Sequence, residues 1–471
     1  MPHQPKSLVP GASYAHPAGH VFYRRATFPH PMAERGEGVY LYDTQGRRYL
    51  DASGGALVVN IGHGVREVAQ AIGEQATRMA YAHPTMFTSR PVEDYALALA
   101  EVVPVPDPRF FFLSSGSEAV ETAIKLARQV HVERGQSSRY LTISRWRSYH
   151  GTTLGALAVA GKPKMRQVFQ PLLPQTPHIP PPYCYRCPFG LDYPACGVRC
   201  ADALEVEIKR VGVENVAAFI AESVSGATLG AAVPPPEYWP RIRQICDEYG
   251  LLLIADEVMA GFGRAGRWFA IQHWDVEPDL MAMGKGTTGG YFPLSVTAVR
   301  GEWADAIVGG SGDFVHGGTF SHHAVGAAAG LATLRYMQAH DLVGAAAQKE
   351  QVLGQKLRAG LDDLPCVGDV RGIGLMWGVE FVAGRASKTP FPPVVHFAQR
   401  VADKALERVS LRFPLQGRGL IVYPSTGCAD GVAGDLVMLG PPLIITEDQM
   451  DEAVTLLRQA IEVVAEETLS S

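Results

Sequence analysis

Short runs of branched apolar residues alternate with amphipathic stretches through the central part of the chain, from about residue 61 to residue 335. A continuous apolar run predicts a strand that is buried on both faces. Alternation of such strands with helices predicts βαβ units around a mostly parallel sheet, and therefore an α/β fold. The predicted strands are residues 110–113, 140–143, 216–220, 251–255 and 280–283.

The two ends of the chain show a different pattern. Residues 38–43 and 48–51 flank a Thr-Gln-Gly turn, which predicts a β-hairpin. Beyond residue 340, apolar runs mix with two amphipathic helices, and a capping box at 446–449 opens the last helix. The predicted late strands are 374–381, 419–423 and 435–439.

These patterns predict a large domain with a mostly parallel sheet and a smaller α+β domain built from both termini. The expected divisions are an N-terminal arm with part of the small domain at 1–60, the large domain at 61–335, and the C-terminal small domain at 336–471.

Composition narrows the class of protein. The chain has 471 residues, 47% of them hydrophobic, and its formal net charge of −5 gives no electrostatic basis for binding nucleic acid. No cluster of Lys and Arg suits an anionic membrane surface. The first 25 residues lack the apolar stretch of a signal peptide, and no later run reaches membrane-spanning length. We therefore expect a cytoplasmic protein without nucleic-acid or membrane partners.

Four of the seven cysteines lie close together, in a proline-rich loop at 183–201 that interrupts the large domain. Their spacing is compatible with a structural zinc site of four thiolates. Local disulfides or free thiols are the alternatives. The candidate ligands are Cys184, Cys187, Cys196 and Cys200.

Two polar residues follow predicted strands at the edge where open α/β sheets bind ligands. Asp256 comes directly after the strand 251–255, and Lys285 follows the strand 280–283 by two residues. An amine and a carboxylate in one crevice suit pyridoxal phosphate (PLP), whose aldehyde forms a Schiff base with lysine and whose ring nitrogen is kept protonated by aspartate. A solvated loop lysine and a Mg²⁺ site at Asp256 are the alternatives.

The segment after strand 110–113 predicts a phosphate site. It runs through Ser115, Gly116 and Ser117 into a helix, where free backbone N–H groups and hydroxyls face an anion. Ser115 with Glu118 also matches a capping box, and both interpretations can hold together.

Two further turns carry weaker signals. Tyr149, before His150 and Gly151, lies at the next strand–helix junction, where an aromatic ring can stack on a planar cofactor. Gly317-Gly318-Thr319 is another turn of small residues that offers a hydroxyl.

The motifs SGSEA, YHG, DEV with GFGR, GKG and GGTF occur in this order. Together they resemble the class III aminotransferases, a PLP-dependent group of fold type I that includes ω-amino acid:pyruvate, 4-aminobutyrate and acetylornithine aminotransferases. The resemblance covers nearly the whole chain. It implies PLP as cofactor, and a homodimer or a tetramer of dimers with shared active sites.

The resemblance also implies roles for single residues. Lys285 would carry PLP and move the substrate proton, Asp256 would pair with the ring nitrogen, and Val258 and Tyr149 would pack on the two ring faces. Glu222 would lie near the phenolic oxygen, and Thr319 would reach the phosphate of the neighbouring subunit. The other implied cofactor-binding residues are Ser115, Gly116, Ser117 and His150.

The chain departs from the family pattern where a substrate carboxylate is bound. Val437 stands where the 4-aminobutyrate and acetylornithine branches have an arginine, and Gly431 stands where the ω-amino acid:pyruvate enzymes have a mobile one. Arg412 and Arg418 are candidate substitutes. Without a fixed guanidinium, preference for a dicarboxylate such as 2-oxoglutarate is not expected.

An apolar substrate pocket is expected from Leu57, where related amine transaminases often have tryptophan, together with Phe22 and Val58. The sequence therefore predicts a ping-pong transaminase that moves an amino group from an amine or ω-amino acid to a small keto acid, with pyruvate as the expected acceptor. A PLP-dependent aminomutase, racemase or decarboxylase is the alternative on the same scaffold. A zinc-stabilised binding or regulatory protein is a third hypothesis.

Overall fold

A computed structural model describes residues 20–407 and 418–469. No helix in these parts of the chain is long and apolar enough to cross a membrane. The strands are β1 (Ala33–Glu37), β2 (Tyr40–Asp43), β3 (Arg48–Asp51), β4 (Arg109–Leu113), β5 (Leu141–Arg145), β6 (His178–Ile179), β7 (Val216–Glu222), β8 (Leu252–Asp256), β9 (Leu280–Met283), β10 (Ser295–Val299), β11 (Val367–Ile373), β12 (Met376–Phe381), β13 (Arg418–Ile421), β14 (Tyr423–Thr426) and β15 (Asp435–Leu439). The helices are α1 (Gly54–Leu57), α2 (Arg66–Arg78), α3 (Arg90–Ala100), α4 (Gly116–Glu133), α5 (Leu154–Val159), α6 (Pro163–Arg166), α7 (Arg199–Val211), α8 (Tyr238–Tyr249), α9 (Gly301–Gly309), α10 (Ala324–Ala339), α11 (Leu342–Leu361), α12 (Phe397–Glu407) and α13 (Glu447–Leu469).

A seven-stranded sheet occupies the centre, in the order β4-β10-β9-β8-β7-β5-β6. The pairs from β9 through β6 are parallel, whereas β10 runs antiparallel to both of its neighbours, β4 and β9. The mostly parallel sheet predicted from the apolar runs is therefore present, and each run falls on a strand. The pattern did not predict β10.

The central strands are buried on both faces. In β8, Leu252 and Ile254 pack in the same apolar cluster as helix α4, whereas Leu253 and Ala255 belong to the larger cluster that includes helix α8. All five residues of β8 are buried. The unbroken apolar sequence of this strand follows from its position between two helical layers.

The terminal segments form two smaller sheets. One has the order β1-β2-β3-β13, with β13 parallel to β3, so that it joins strands from both ends of the chain. The other has the order β11-β12-β15-β14 and is antiparallel. The predicted hairpin is the β2–β3 pair. The predicted strand 419–423 is wrong in one respect, because β13 ends at Ile421 and β14, in a different sheet, begins at Tyr423.

The capping box expected at the last helix is present. The Thr446 N–H donates to Gln449 Oε1 at 2.9 Å, and the Gln449 N–H donates to Thr446 Oγ1 at 3.3 Å. The domain limits at residues 60 and 335 stay a prediction.

Candidate active site

Three neighbouring strands deliver functional groups to one edge of the central sheet. β7 ends at Glu222 and β8 ends at Asp256, and these two residues are register partners. β9 ends at Met283, two residues before Lys285. The parallel order of these strands therefore brings two carboxylates and an amine to the same edge. The strand pattern predicted Asp256 and Lys285 there, and the family resemblance implied Glu222.

The Asp256 carboxylate is fixed at both oxygens. Its Oδ2 lies 2.6 Å from His150 Nδ1, and its Oδ1 accepts the Val258 N–H at 3.0 Å. An ionised carboxylate only accepts hydrogen bonds, so the His150 proton lies on Nδ1 and the ring donates to Asp256. Nε2 of the same ring lies 3.3 Å from Ser144 Oγ, which fixes the imidazole from behind.

Lys285 occupies an unusual backbone position. Its φ is +48°, a left-handed conformation that non-glycine residues rarely adopt. Burial lowers the pKa of its ammonium to about 8, although the negative charges of Asp256 and Glu222 act in the opposite direction. A substantial fraction of Lys285 is therefore a neutral amine near neutral pH, and the neutral form is the nucleophile.

A candidate anion site, formed by Ser115, Gly116 and Ser117 at the start of α4, lies beside Asp256 and Lys285. Ser115 is the N-cap, and its hydroxyl accepts the Glu118 N–H at 3.4 Å, so the capping interpretation of this motif is correct. The first N–H groups of a helix have no partner within the helix, so those of Gly116 and Ser117 can still face an anion.

The anion site at Gly116 is in close contact with the residues that follow β8 and β9. A Cβ at Gly116 would lie 2.8 Å from Val258 Cγ1, and a Cβ at Gly284 would lie 3.6 Å from the Gly116 Cα. Residues from the ends of three elements thus meet within van der Waals contact. Gly116, Val258 and Gly284 leave no room for larger residues at either glycine.

The segment after β5 closes the group. The Thr152 N–H donates to Ser117 Oγ at 3.0 Å, and the Tyr149 N–H donates to Glu222 Oε2 at 3.3 Å. The other Glu222 oxygen accepts the Gly226 N–H at 3.0 Å. Burial raises the pKa of Glu222, with His150 opposing that rise, and burial raises the pKa of the Tyr149 phenol.

The donor set suits PLP, which presents an aldehyde, a basic ring nitrogen and a phosphate. Lys285 offers a partly neutral amine for the aldehyde, Asp256 offers a fixed negative charge for the ring nitrogen, and the α4 N-terminus offers N–H groups for the phosphate. Gly116 and Val258 are in close contact beside this set, since an added Cβ at Gly116 would lie 2.8 Å from Val258 Cγ1.

The predicted pocket residues have different surroundings. Val58 approaches Gly290, five residues after Lys285, where an added Cβ would lie 3.4 Å from Val58 Cγ1. Leu57 is buried and packs against Gly440. Phe22 is 89% exposed and Thr319 is also exposed; in the ranges that the structure describes, no contact ties either to Lys285.

The two candidate arginines differ in what the structure describes of them. Arg418 lies 3.6 Å from Glu452 and is engaged in a surface ion pair, and Arg412 falls outside the described residues. Val437 is buried inside β15. A cation that the sequence did not single out is Lys162, whose Nζ donates to Ser425 Oγ at 3.0 Å. No local motif signals this contact, because its partners are 263 residues apart.

The zinc hypothesis for the cysteine-bearing loop is not supported. Within the described residues, no group of three or more His, Cys, Asp or Glu side chains is arranged to hold a metal ion. All four cysteines of the loop are free thiols, which also answers the disulfide alternative. The spacing is compatible with a zinc site, but the described loop does not offer such a set of ligands.

Comparison with known proteins gives matches that cover more than nine tenths of the chain. The sequence matches the family profile described as aminotransferase class-III over residues 22–461. The uncharacterized aminotransferase YodT of Bacillus subtilis is 39% identical over 432 residues, 92% of this chain and 95% of YodT. The putrescine–pyruvate aminotransferase of Pseudomonas aeruginosa is 35% identical over 437 residues, 93% of this chain and 91% of that protein. The crystal structure of an (S)-enantioselective omega-transaminase from Thermomicrobium roseum matches with a TM-score of 0.84 at 38% identity, covering 93% of both chains.

Proposed function

Because the chain belongs to the class-III aminotransferase family, we propose that it transfers an amino group from an amine or ω-amino acid to pyruvate by a ping-pong mechanism. The observation that carries the proposal is the convergence of Lys285, Asp256 and the α4 N-terminus at one sheet edge. The family membership makes the chain an aminotransferase of fold type I, as expected from its motifs. It therefore favours amino transfer over the isomerase, decarboxylase and regulatory alternatives.

The family uses PLP, and the residues at the sheet edge suit it. The cofactor, when bound, supplies an electron sink that stabilises negative charge on the substrate carbon next to the nitrogen. Asp256, held by His150, would keep a negative charge at the ring nitrogen, and Gly116 and Ser117 would hold the phosphate. Val258 and Tyr149 would contact the ring, and Ser115 caps α4.

Lys285 has two tasks in this proposal. Its amine would bind the cofactor in the resting enzyme. Once a substrate amine has displaced it, the freed amine would take a proton from the substrate carbon next to the nitrogen and deliver it to C4′ of the cofactor. A group that both accepts and donates a proton works best with a pKa near the operating pH. The lowered pKa of about 8 supports this double role.

Acceptor choice is proposed from the groups around the pocket. Val437 gives no guanidinium where a dicarboxylate would need a second cation, and Leu57 and Val58 are apolar. The name of the Pseudomonas aeruginosa relative includes pyruvate as the acceptor. We therefore place pyruvate before 2-oxoglutarate.

We also propose a homodimer, or a tetramer of dimers, in which Thr319 of one subunit faces the phosphate of the other. The apolar residues exposed in the described chain support a subunit interface: Met86 is 77% exposed, Phe87 67%, and Phe320, next to Thr319, 60%. Contiguous exposed apolar side chains often mark a protein–protein interface. Light scattering of the holoenzyme should give at least twice the mass of one chain, and a monomer that is fully active would exclude the shared site.

The proposal is tested by product analysis. Holoenzyme with putrescine or a related ω-amine is expected to form alanine from pyruvate and much less glutamate from 2-oxoglutarate. Formation of an isomerised or decarboxylated donor without alanine would contradict amino transfer. Glutamate formed faster than alanine would leave the aminotransferase assignment intact but refute the proposed acceptor.

A further inference from the structure

Lys162 is a cation without a carboxylate partner beside the candidate active site. It lies between α5 and α6, and its Nζ donates to the hydroxyl of Ser425 on β14 at 3.0 Å. Ser425 is buried, with 5% exposure. Among the described residues no Asp or Glu forms an ion pair with Lys162, although most buried or half-buried charges in proteins are paired.

The backbone next to Lys162 is bonded to the turn that carries Tyr149. The Gly161 N–H donates to Ser148 O at 3.1 Å, and the Arg147 N–H donates to Gly161 O at 2.7 Å. Arg166 holds the same segment from the other side by donating to Ala160 O at 2.8 Å. Hydrogen bonds therefore fix the backbone at Lys162 to the turn that carries Tyr149.

Electrostatic neighbours connect Lys162 to the same group of residues. Burial lowers the pKa of its ammonium, Lys164 and Arg24 lower it further, and Glu222 acts in the opposite direction. Glu222 and Arg24 also act on the pKa of Tyr149, so the same two charges affect both side chains. Both Glu222 oxygens accept backbone N–H groups, from Tyr149 and Gly226, so Glu222 acts on Lys162 through its charge and not through a direct ion pair.

The loop opposite Lys162 cannot supply a cation of its own. A Cβ at Gly431 would lie 2.8 Å from Pro163 Cγ, directly beside Lys162, and Gly431 has a φ of +99°. The loop is tightly closed, since the Gly431 N–H donates to Gly427 O at 2.9 Å and the Gly427 N–H donates to Gly434 O at 2.7 Å. With valine at 437 and glycine at 431, neither position supplies a cation. Arg147 lies against the same loop, but its Nη1 donates to the Cys428 and Ala429 carbonyls. Lys162 is a further cation on this side, and its described hydrogen bond goes to a hydroxyl.

We propose that the Lys162 ammonium binds the carboxylate of the keto acid acceptor, and so determines the preference for acids over simple aldehydes. The inference rests on the proposed function and adds a specificity-determining residue to it. A single ammonium satisfies one carboxylate, and Ser425 holds Nζ in place while the substrate carboxylate supplies the missing counter-charge. This arrangement suits a monocarboxylate such as pyruvate.

The test compares Lys162→Met with the matched control Lys164→Met, which removes the same charge from an exposed neighbour. Holoenzyme is first converted to its aminated form with a reactive amine, and kcat/KM is measured for pyruvate and for propanal, which lacks the carboxylate. We expect the pyruvate-to-propanal ratio to fall about tenfold or more in Lys162→Met, as for loss of a hydrogen bond between charged groups. Lys164→Met should keep the wild-type ratio.

A second readout does not depend on turnover. Propionate cannot accept an amino group, and its dissociation constant for the PLP-loaded enzyme is measured by calorimetry. It should rise about tenfold or more in Lys162→Met and by less than about twofold in Lys164→Met. Circular dichroism checks folding, and Lys162→Gln, which can still bond Ser425, replaces the Met variant if that variant unfolds.

The outcomes separate the two proposals. A wild-type enzyme that passes no amino group from any amine to pyruvate would refute the proposed function. A wild-type enzyme that transaminates pyruvate, while Lys162→Met and Lys162→Gln retain its pyruvate-to-propanal ratio and its propionate affinity, would refute only the role of Lys162.

Discussion

At the scale of single residues, the site depends on a lysine that is partly neutral and a carboxylate that is fixed. Lys285 is next to glycines on both sides, which allow close packing around its amine, and burial accounts for its lowered pKa. Asp256 is held at both oxygens by His150 and Val258. Each residue thus has the protonation or orientation that PLP chemistry requires.

The lowered pKa of Lys285 predicts a pH dependence for cofactor binding. Only the neutral amine attacks an aldehyde, so the rate of covalent PLP attachment to the apoprotein should rise about tenfold per pH unit below about 8 and level off above it. Stopped-flow absorbance measures this rate. Lys285→Ala should show no covalent attachment at any pH, and Lys209→Ala, at an exposed surface lysine, should behave as the wild type.

A rate that keeps rising up to the ordinary lysine pKa would contradict this account of the burial of Lys285. Borohydride reduction gives an independent check, because it should fix the cofactor to the wild-type protein and not to Lys285→Ala.

Single residues differ in how far the sequence could predict them. Lys285 and Asp256 follow apolar runs, so their position at a sheet edge could be anticipated, whereas Glu222 was implied only by the family resemblance. His150 bonds to a residue 106 positions away and Lys162 to one 263 positions away. The roles of such residues depend on which distant strand they meet, and no local pattern carries that information.

At the scale of elements, the turn from β4 into α4 is the part whose geometry is most constrained. The helix supplies N–H groups, but an anion reaches them only if the turn lies close to the neighbouring strands. Gly116 meets this requirement, because its Cα faces Val258 with no space for a methyl group. The Ser/Gly composition of the turn predicted an anion site. Only the fold shows that the Val258 side chain limits the space at Gly116.

Gly116→Ala should therefore weaken PLP binding. The added methyl group would lie 2.8 Å from Val258 Cγ1, so either the valine or the turn must shift. Overpacking of this kind costs about 1–3 kcal/mol of folding stability. A shift of the turn would also weaken its charge-assisted hydrogen bonds to the phosphate, so the PLP dissociation constant should rise about tenfold or more. Fluorescence titration of the apoprotein with PLP measures it.

The matched control is Gly73→Ala in α2, where an added Cβ meets nothing within 4 Å. This variant should keep the wild-type affinity for PLP. Equal affinities for Gly116→Ala and Gly73→Ala would show that the turn is not part of the phosphate site.

At the scale of the whole molecule, a buried ionic cluster ties the cysteine-bearing loop to the small antiparallel sheet. Glu380 on β12 is fully buried and accepts hydrogen bonds from Arg186 at 2.6 Å, from Arg371 at 2.8 Å and from the Tyr183 hydroxyl. Because Glu380 pairs with two half-buried cations, its loss leaves Arg186 without a carboxylate partner and Arg371 with Asp369 alone. The loop thus has a structural connection that does not involve metal.

Glu380→Gln should lower the free energy of unfolding by about 3–5 kcal/mol, the usual cost of removing one partner from a buried ion pair. Asp369→Asn is the control, because Asp369 bonds the same Arg371 at 2.6 Å but is partly exposed, and its loss should cost about 1 kcal/mol or less. Denaturant unfolding measures both. An equal fall in the free energy of unfolding for the two variants would mean that burial does not decide how much each carboxylate contributes to stability.

Much of the overall architecture could be predicted from the sequence. The alternation of apolar runs and helices predicted the mostly parallel sheet, and family membership confirms fold type I. The antiparallel strand β10 could not be predicted, because the alternating pattern of Ser295–Val299 does not reveal which neighbours the strand joins or in which direction. The zinc expectation failed for a related reason, since cysteine spacing does not fix thiolate directions.

The central claim is that this chain moves amino groups between amines and pyruvate with Lys285 as the reactive lysine. The most direct measurement is the absorbance spectrum of the holoenzyme during addition of a panel of amines and ω-amino acids. We predict loss of the Lys285-bound cofactor band, appearance of pyridoxamine phosphate, and recovery of the first band on addition of pyruvate but not of 2-oxoglutarate. A spectrum that never shows pyridoxamine phosphate with any amine would contradict amino transfer, and an unchanged spectrum in Lys285→Ala would contradict the choice of lysine.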